Sequence, residues 1–466
     1  MKRVDVAIVG GGPAGTAAAH AAASNGASAM VLEKGVPRAD RPSGLGPDST
    51  DAAGILDYWV DIMDIHPDEF PEGVLLHELD RAEFVGPNRT VTMRHTGIES
   101  SYDEFGYTFH RARFDDWLRG RCEEAGAEYH VKTSVKDVET DLDAAGGEAE
   151  PRHLLRVKNG TNVGADFLVL ADGPQRTLTM PVLDRLLPDG KKASDVLGPR
   201  KANHIAYQEH RELPPEVAEE VRGALKFWWG YMPGHTAYPW VFPNDGEMAR
   251  VGLTMPIGMD LDEVEGREKY ALLRPEDERI PTGKEYVRRI LEHEYGDEYD
   301  VEADFPLAED RGKRGGTETY AISSTRPVDS PTAAGIAVTG GAMGATSAFH
   351  EGGDHLAVRT GAIAGELAAA GDLSAYNDRW KEATGDEVLR NVSFADVVHD
   401  YGPDDWDRTF KHVNTLMTDE GSNGLIDTSK AVAGFGAAKL AIAYKRRKRK
   451  FRNGKYVQLR ESDYVV

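Results

Sequence analysis

VDVAIVGGGPAGTAAAHAAASNGASAMVLEK, residues 4–34, carries the pattern that decides the fold. Val4–Val9 reads as a strand buried on both faces, because it is apolar without alternation. Gly10, Gly12 and Gly15 then spell G-x-G-x-x-G, with Ala14 inside the motif and an Ala-rich helix running to about Ser24. Asn25-Gly26 stops that helix, and Ala29–Leu32 forms a second strand ending at Glu33. The first glycine permits the tight turn. The second lets backbone approach a pyrophosphate, and the third allows helix and strand to pack closely. A phosphate then meets the free N–H groups of the helix start. Glu33 is placed to accept hydrogen bonds from an adenosine ribose, and its charge disfavours a 2′-phosphate. Strand, turn, helix, strand and acid in this order predict a dinucleotide site.

Two later segments extend the pattern. FLVLADGPQR, residues 167–176, is a strand breaking at Asp172-Gly173. GIAVTGGAMGATSAFHEGG, residues 335–353, is a strand and a glycine-rich loop that lead into the helix HLAVRTGAIAGELAAAG. Together the three segments resemble the flavoproteins of the p-hydroxybenzoate hydroxylase and glutathione reductase type. The resemblance implies FAD as cofactor and an α/β, Rossmann-type FAD-binding domain. It also implies cofactor contacts at Asp172, Gly173, Gly340, Gly341, Gly344, Gly352 and Gly353. One departure stands out: Gly341 occupies the place where the third motif usually has an aspartate. Backbone N–H groups there still suit a pyrophosphate.

Composition narrows the function classes. The 466 residues include 55 Lys+Arg and 78 Asp+Glu, a net charge of −23. Such a surface repels nucleic acid and stays hydrated in strong salt, where the Debye length is roughly 3 Å at 1 M. It points to a halophilic source. Cys122, the only cysteine, excludes an intramolecular disulfide and reads as a buried structural thiol. No secretion signal is read at the start, and no apolar run approaches the ~20 residues of a spanning helix. A cytoplasmic body is expected, with no metal site.

A more specific resemblance comes from two further stretches. YTFHRARFDDWLRG, residues 107–120, matches an R-x-x-F-D-x-W-L helix start. YPWVFP, residues 238–243, is followed by Gly252 and Thr254 and matches Y-x-W-x-F-P…G-x-G except for the last glycine. Both resemble the geranylgeranyl reductase family, as does the order of all the motifs. The resemblance implies reduction of isolated C=C bonds in polyprenyl chains and places Arg111 near the FAD phosphates. Residues 35–50, with Ser43-Gly44, lack the cysteine that many family members carry. Tyr238, Trp240 and Phe242 alternate in a strand and so share a face. They are expected either to fill the core or to wall a cavity for an apolar substrate.

An unpolarised alkene needs a proton at one carbon and a hydride at the other. His350 and Glu351, in the loop expected near the flavin, are the candidate proton donors. Reduced ferredoxin or NAD(P)H is the expected electron source, with no second G-x-G-x-x-G to decide between them. A flavin monooxygenase, a quinone-reducing dehydrogenase and a non-catalytic flavoprotein are the competing readings. Residues 1–60, 100–180 and 320–385 are expected to form the FAD domain. Residues 61–99 and 181–319 should form a sheet-rich substrate domain, and 386–466 a helical C-terminal part. Its basic run KRRKRKFR, 445–452, suits either an anionic membrane surface, as a peripheral contact, or the chain's own acids.

Overall fold

The computed structural model describes residues 1–36, 53–144, 150–158, 160–311, 315–418 and 435–466. The segment around Ser43-Gly44 and the first part of the apolar stretch before the basic run lie outside the described residues.

The FAD-type sheet grows from Lys2–Val9. It pairs in parallel with Ala29–Leu32 on one side and with Asn162–Leu170 on the other. Glu128–His130 extends the first side, and Ile336–Val338 runs parallel to Leu168–Leu170. His153–Val157 and Val135–Thr140 add an antiparallel extension beside the amino half of 162–170. Helices cover both faces, so Val6, Ile8, Val31, Leu168 and Val169 are all fully buried. The carboxyl ends Val9, Leu32, Leu170 and Val338 lie along one edge. Gly10, Glu33, Asp172 and Thr339 therefore meet there, where ligands of open α/β sheets bind.

Helix Pro13–Ser24 packs against helix Asp354–Ala369 at backbone contact. A Cβ on Gly361 would lie 2.1 Å from the Ala14 carbonyl oxygen, and one on Gly365 2.1 Å from that of Ala18. The four-residue spacing on both helices puts small residues on facing stripes. This contact ties the first motif to the third.

A second sheet has seven strands in the order 317–322, 204–212, 248–256, 238–243, 224–228, 81–85, 90–93. Helix Gly283–Tyr295 covers one face, with Tyr286, Val287, Ile290 and Leu291 buried beneath it. A small sheet of Ala53–Leu56, Gly106–Phe109 and Leu75–Leu79 joins the two parts. In helix Arg111–Glu124, Phe114, Leu118 and Cys122 face inward, and burial pushes the Cys122 thiol up to about 12.

The C-terminal part departs from the sequence expectation. Helices Tyr376–Val397, Pro403–Thr418 and Phe435–Phe451 are present, but the chain then returns to the FAD-type core. Phe451, Tyr456, Val457, Leu459 and Tyr464 are buried in that core. The Gln458 N–H donates to the Pro327 carbonyl at 2.9 Å, and the Val465 N–H to Leu186 at 2.8 Å. Five spaced apolar residues outweigh the polar tail composition here. Among the described residues, no helix is long and apolar enough to cross a membrane.

Candidate functional site

The glycine turn has the shape of a phosphate cradle. Gly10 has φ +103, and a Cβ there would meet the Ala171 oxygen at 2.2 Å; one on Gly15 would meet the Gly10 oxygen at 1.9 Å. Gly12 is different. No atom lies within 4 Å of where its Cβ would stand. Gly12 is also the N-cap of helix 13–24 without a side-chain cap, so the first N–H groups of the helix remain free to meet an anion. Glu33 Oε2 accepts the Gly11 N–H at 2.7 Å, and its other oxygen accepts that of Gly35. A carboxylate has about four acceptor positions, so two remain for ribose hydroxyls. The residues present fit a dinucleotide.

Several predicted cofactor residues also have partners within the scaffold. Asp172 Oδ2 accepts the N–H groups of Leu178 at 2.6 Å and Thr179 at 3.1 Å, capping the next helix. Arg111, expected near the phosphates, pairs with Asp115 at 2.8 Å and Asp354 at 2.6 Å. Both acids stand within its reach at the starts of their helices, and they raise its pKa against the opposing effect of burial. Ala14 is a spacer: a Cβ on Gly340 would lie 2.8 Å from its methyl. Gly173, Gly340 and Gly344 have φ of +76, +54 and +85. Gly353 caps helix 354–369 without a side-chain bond, offering a second free helix start.

At Gly341 a Cβ would lie 3.3 Å from the Pro174 nitrogen, a tight fit. The loop is held by a residue that the motif reading missed. Arg176, 1% exposed, donates Nε to the Ala342 carbonyl at 2.8 Å and Nη2 to that of Gly341 at 3.2 Å. Its place in ADGPQR, immediately after Asp172-Gly173, was the available signal.

The aromatic strand walls a cavity of about 250 Å³. Tyr238, Trp240 and Phe242 all line it, with Phe84, Phe227 and Trp229 beside them. Trp229 stacks on Tyr238 with ring centres 4.4 Å apart, and Phe84 on Phe227 at 5.5 Å. Trp228, between two cavity residues, points into the opposite core, as strand alternation requires. The spacing of the motif now has a reason. Gly252 pairs across the ladder with Trp240, and a Cβ there would sit 2.6 Å from the indole.

His350, Glu351 and Gly352, just before the free start of helix 354–369, also line the cavity. The Tyr238 hydroxyl donates to the His350 carbonyl at 2.6 Å, fixing this loop to the aromatic wall. Glu351 is buried with φ +60. The Thr236 hydroxyl donates to Oε1 at 3.0 Å, and that of Thr254 donates to Oε2. Thr254, which replaces the last glycine of the aromatic motif, thus holds an acid. Burial raises the Glu351 pKa to about 8 against these two hydrogen bonds. At neutral pH it is a protonated carboxylic acid facing an apolar cavity.

His350 also lines the cavity, but its ring stacks on Trp59 at 4.6 Å and approaches Glu387 at 3.5 Å. Glu387 is saturated by Tyr58 at 2.8 Å, Trp59 at 3.1 Å, Asn391 at 2.9 Å and Arg390 at 2.7 Å. Burial opposes its charge, yet His350, His355 and Arg390 outweigh it and hold its pKa near 2. Glu387 lies mid-helix without any local motif, so sequence reading had nothing to find it by.

Comparison with known proteins agrees with this geometry. Residues 3–180 match the FAD binding domain family. Digeranylgeranylglycerophospholipid reductase 2 of Methanopyrus kandleri is 27% identical over 82% of this chain and 83% of its own. The digeranylgeranylglycerophospholipid reductase of Methanothrix thermoacetophila is 25% identical, covering 89% and 92%. The chain resembles these reductases over most of its length. A solved geranylgeranyl bacteriochlorophyll reductase-like protein of Thermoplasma acidophilum superposes with a TM-score of 0.64 at 21% identity. It covers 97% of this chain and 99% of its own. The family resemblance, the α/β FAD-type fold and FAD as cofactor are thereby borne out.

Proposed function

We propose that the chain is an FAD-dependent oxidoreductase that saturates isolated C=C bonds of geranylgeranyl-type polyprenyl chains on membrane lipids or lipid carriers. The observation that carries this reading is the apolar cavity, lined by the 238–242 aromatics and by Glu351 beside the 352–354 helix start. Gly10, Gly12, Gly15, Glu33 and the start of helix 354–369 would hold the cofactor. When bound and reduced, FAD supplies a hydride. The chain's own side chains supply the rest. Phe84, Phe227, Trp229, Tyr238, Trp240 and Phe242 keep water out and align an extended chain. Ring faces also favour positive charge developing at the alkene carbon. The Glu351 carboxyl holds the proton for the other carbon. Mass spectrometry of prenyl lipid incubated with the reduced enzyme tests the activity directly. Each saturated bond adds two hydrogens, and unchanged lipid refutes the reading.

Trp240→Ala is expected to lower turnover by roughly tenfold or more, the value of ~1.4 kcal/mol at the transition state, with flavin content unchanged. Equal loss of flavin and turnover would make Trp240 a core residue only.

The basic run belongs to helix 435–451, whose Tyr444 stacks on Phe394 at 4.5 Å. Phe394 lines the cavity, so the basic surface stands beside it. Arg447 and Lys450 both pair with Asp396, at 2.8 and 3.2 Å, while Arg446, Lys448 and Arg449 are exposed. We assign this face to peripheral contact with an anionic membrane, where a prenyl lipid resides. Deleting the tail would remove core residues, so charge substitution is the cleaner test. Replacing Arg446, Lys448 and Arg449 with Gln should weaken binding to anionic vesicles roughly a hundredfold at low salt, at ~1 kcal/mol per charge. Unchanged co-sedimentation refutes the contact. The acidic body fits an archaeal cell at high salt, and electrons are assigned to a reduced ferredoxin-class carrier or NAD(P)H.

A further inference from the structure

Glu351 is sealed inside the protein. Its side chain is 2% exposed, and the cavity that it faces is apolar and would be filled by a prenyl chain during reaction. While a prenyl chain fills that cavity, Glu351 cannot regain a proton through it, so recharging before the chain leaves needs another route.

The opposite side of Glu351 provides one. His204 Nε2 lies 3.5 Å from Glu351 Oε1, and the Thr236 hydroxyl lies 3.0 Å from the same oxygen and 3.5 Å from His204 Nε2. His204 Nε2 also donates to the His235 carbonyl at 2.9 Å. The His235 ring then meets the His399 ring edge-on, with centres 4.5 Å apart. His399 is exposed, His235 half-buried and His204 buried, so the three residues descend from solvent to the acid. Nδ1 of His204 and Nδ1 of His235 are buried and make no hydrogen bond within the described residues. Each imidazole therefore keeps one uncommitted nitrogen. An imidazole that takes a proton on one nitrogen and releases one from the other is a relay.

We infer that His399, His235 and His204 form a proton inlet that recharges the Glu351 carboxyl from solvent. The inference rests on the proposed reductase reading. For each double bond saturated, the Glu351 O–H bond breaks and a C–H bond forms at one alkene carbon. The other carbon receives the hydride carried by reduced FAD, so the alkene gains the two electrons that the flavin loses. The carboxylate left behind takes the Nε2 proton of His204; the His235 carbonyl has none to give, so His204 is resupplied at its open Nδ1 by water that passes protons inward from the His399 and His235 rings. The external reductant, of ferredoxin or nicotinamide class, restores the flavin. Burial holds His204 and His235 below the ordinary histidine pKa, and neighbouring His399 and His204 add to the effect on His235 while Asp400 opposes it. Both rings are thus neutral at pH 7, and they charge only in passing. Thr236 and Thr254 are the other polar side chains bonded to Glu351, and neither titrates. The His350–Glu387 side is a poorer inlet, because four donors already hold Glu387.

The test needs no turnover. In the oxidised FAD-loaded protein, the carbonyl stretch of a protonated Glu351 is identified by its loss in Glu351→Gln, and its shift on rapid transfer to D₂O reports the rate of proton exchange. His204→Phe should slow that shift roughly tenfold or more, as for removal of a positioned proton-transfer group. His399→Gln, on the surface, should slow it several-fold, with recovery on adding imidazole. Loosened packing would speed exchange instead. If His204→Phe does not fold, His399→Gln decides. Exchange as fast as or faster than wild type in the folded variants, or no such band in the wild type, overturns the inlet. The reductase reading would be untouched, since alkene saturation is measured separately.

Discussion

Glu351→Gln is expected to lower alkene turnover by roughly 10²–10⁴-fold, the usual value of a positioned general acid, while flavin content stays unchanged. Glutamine keeps the shape, accepts from one threonine hydroxyl and donates its NH2 to the other, but has no acidic proton. Wild-type turnover should fall as pH rises through about 8, where the carboxyl ionises. The same residue gives a stability signature. Its folded pKa is raised, so its contribution is fully present below the unfolded value of ~4.3 and is lost as pH rises toward about 8. Across that window the native state retains a proton that the unfolded chain releases, at a slope of ~1.4 kcal/mol per pH unit. Thermal melts of Glu351→Gln should therefore lose this decline between roughly pH 5 and 8. A variant with wild-type turnover, or one that keeps the decline, would remove Glu351 from the chemistry.

Gly361→Val is the second change of large effect, and it acts far from the proton. A Cβ at this position would lie 2.1 Å from the Ala14 carbonyl oxygen, which is backbone and cannot rotate away. The two helices must separate, and with them the first and third glycine motifs. Overpacking in cores costs about 1–3 kcal/mol, and a forced backbone shift places this case at or above the upper end. Denaturant melts should show that loss, together with weakened flavin retention. Gly371→Ala provides the control: it follows the same helix, and nothing lies within 4 Å of the added carbon. It has φ +81, so a small strain effect of about 1 kcal/mol is expected there. Equal effects of the two substitutions would show that helix contact is not what Gly361 provides.

The first thirty-four residues determined a dinucleotide-binding strand, turn and helix, and two later segments made that half FAD-type. Strand, glycine turn and helix are local, and each residue type has a local backbone reason to be where it is. The aromatic strand was equally legible as a face, because alternation follows from the pleat. Whether that face filled a core or walled a cavity was not. Tyr238, Trp240 and Phe242 would show the same pattern in both cases, and the difference depends on what packs opposite them. Arg111 and Asp172 show the same limit: their positions in motifs were readable, but the acids and N–H groups that occupy them come from the arriving fold. Asp354 reaches Arg111 from 243 residues away. Glu351, Thr254, Thr236 and His204 share no segment, and no spacing rule joins them. Only tertiary packing brings them together, and burial, a property of the whole fold, then gives Glu351 the proton that the proposed reaction uses.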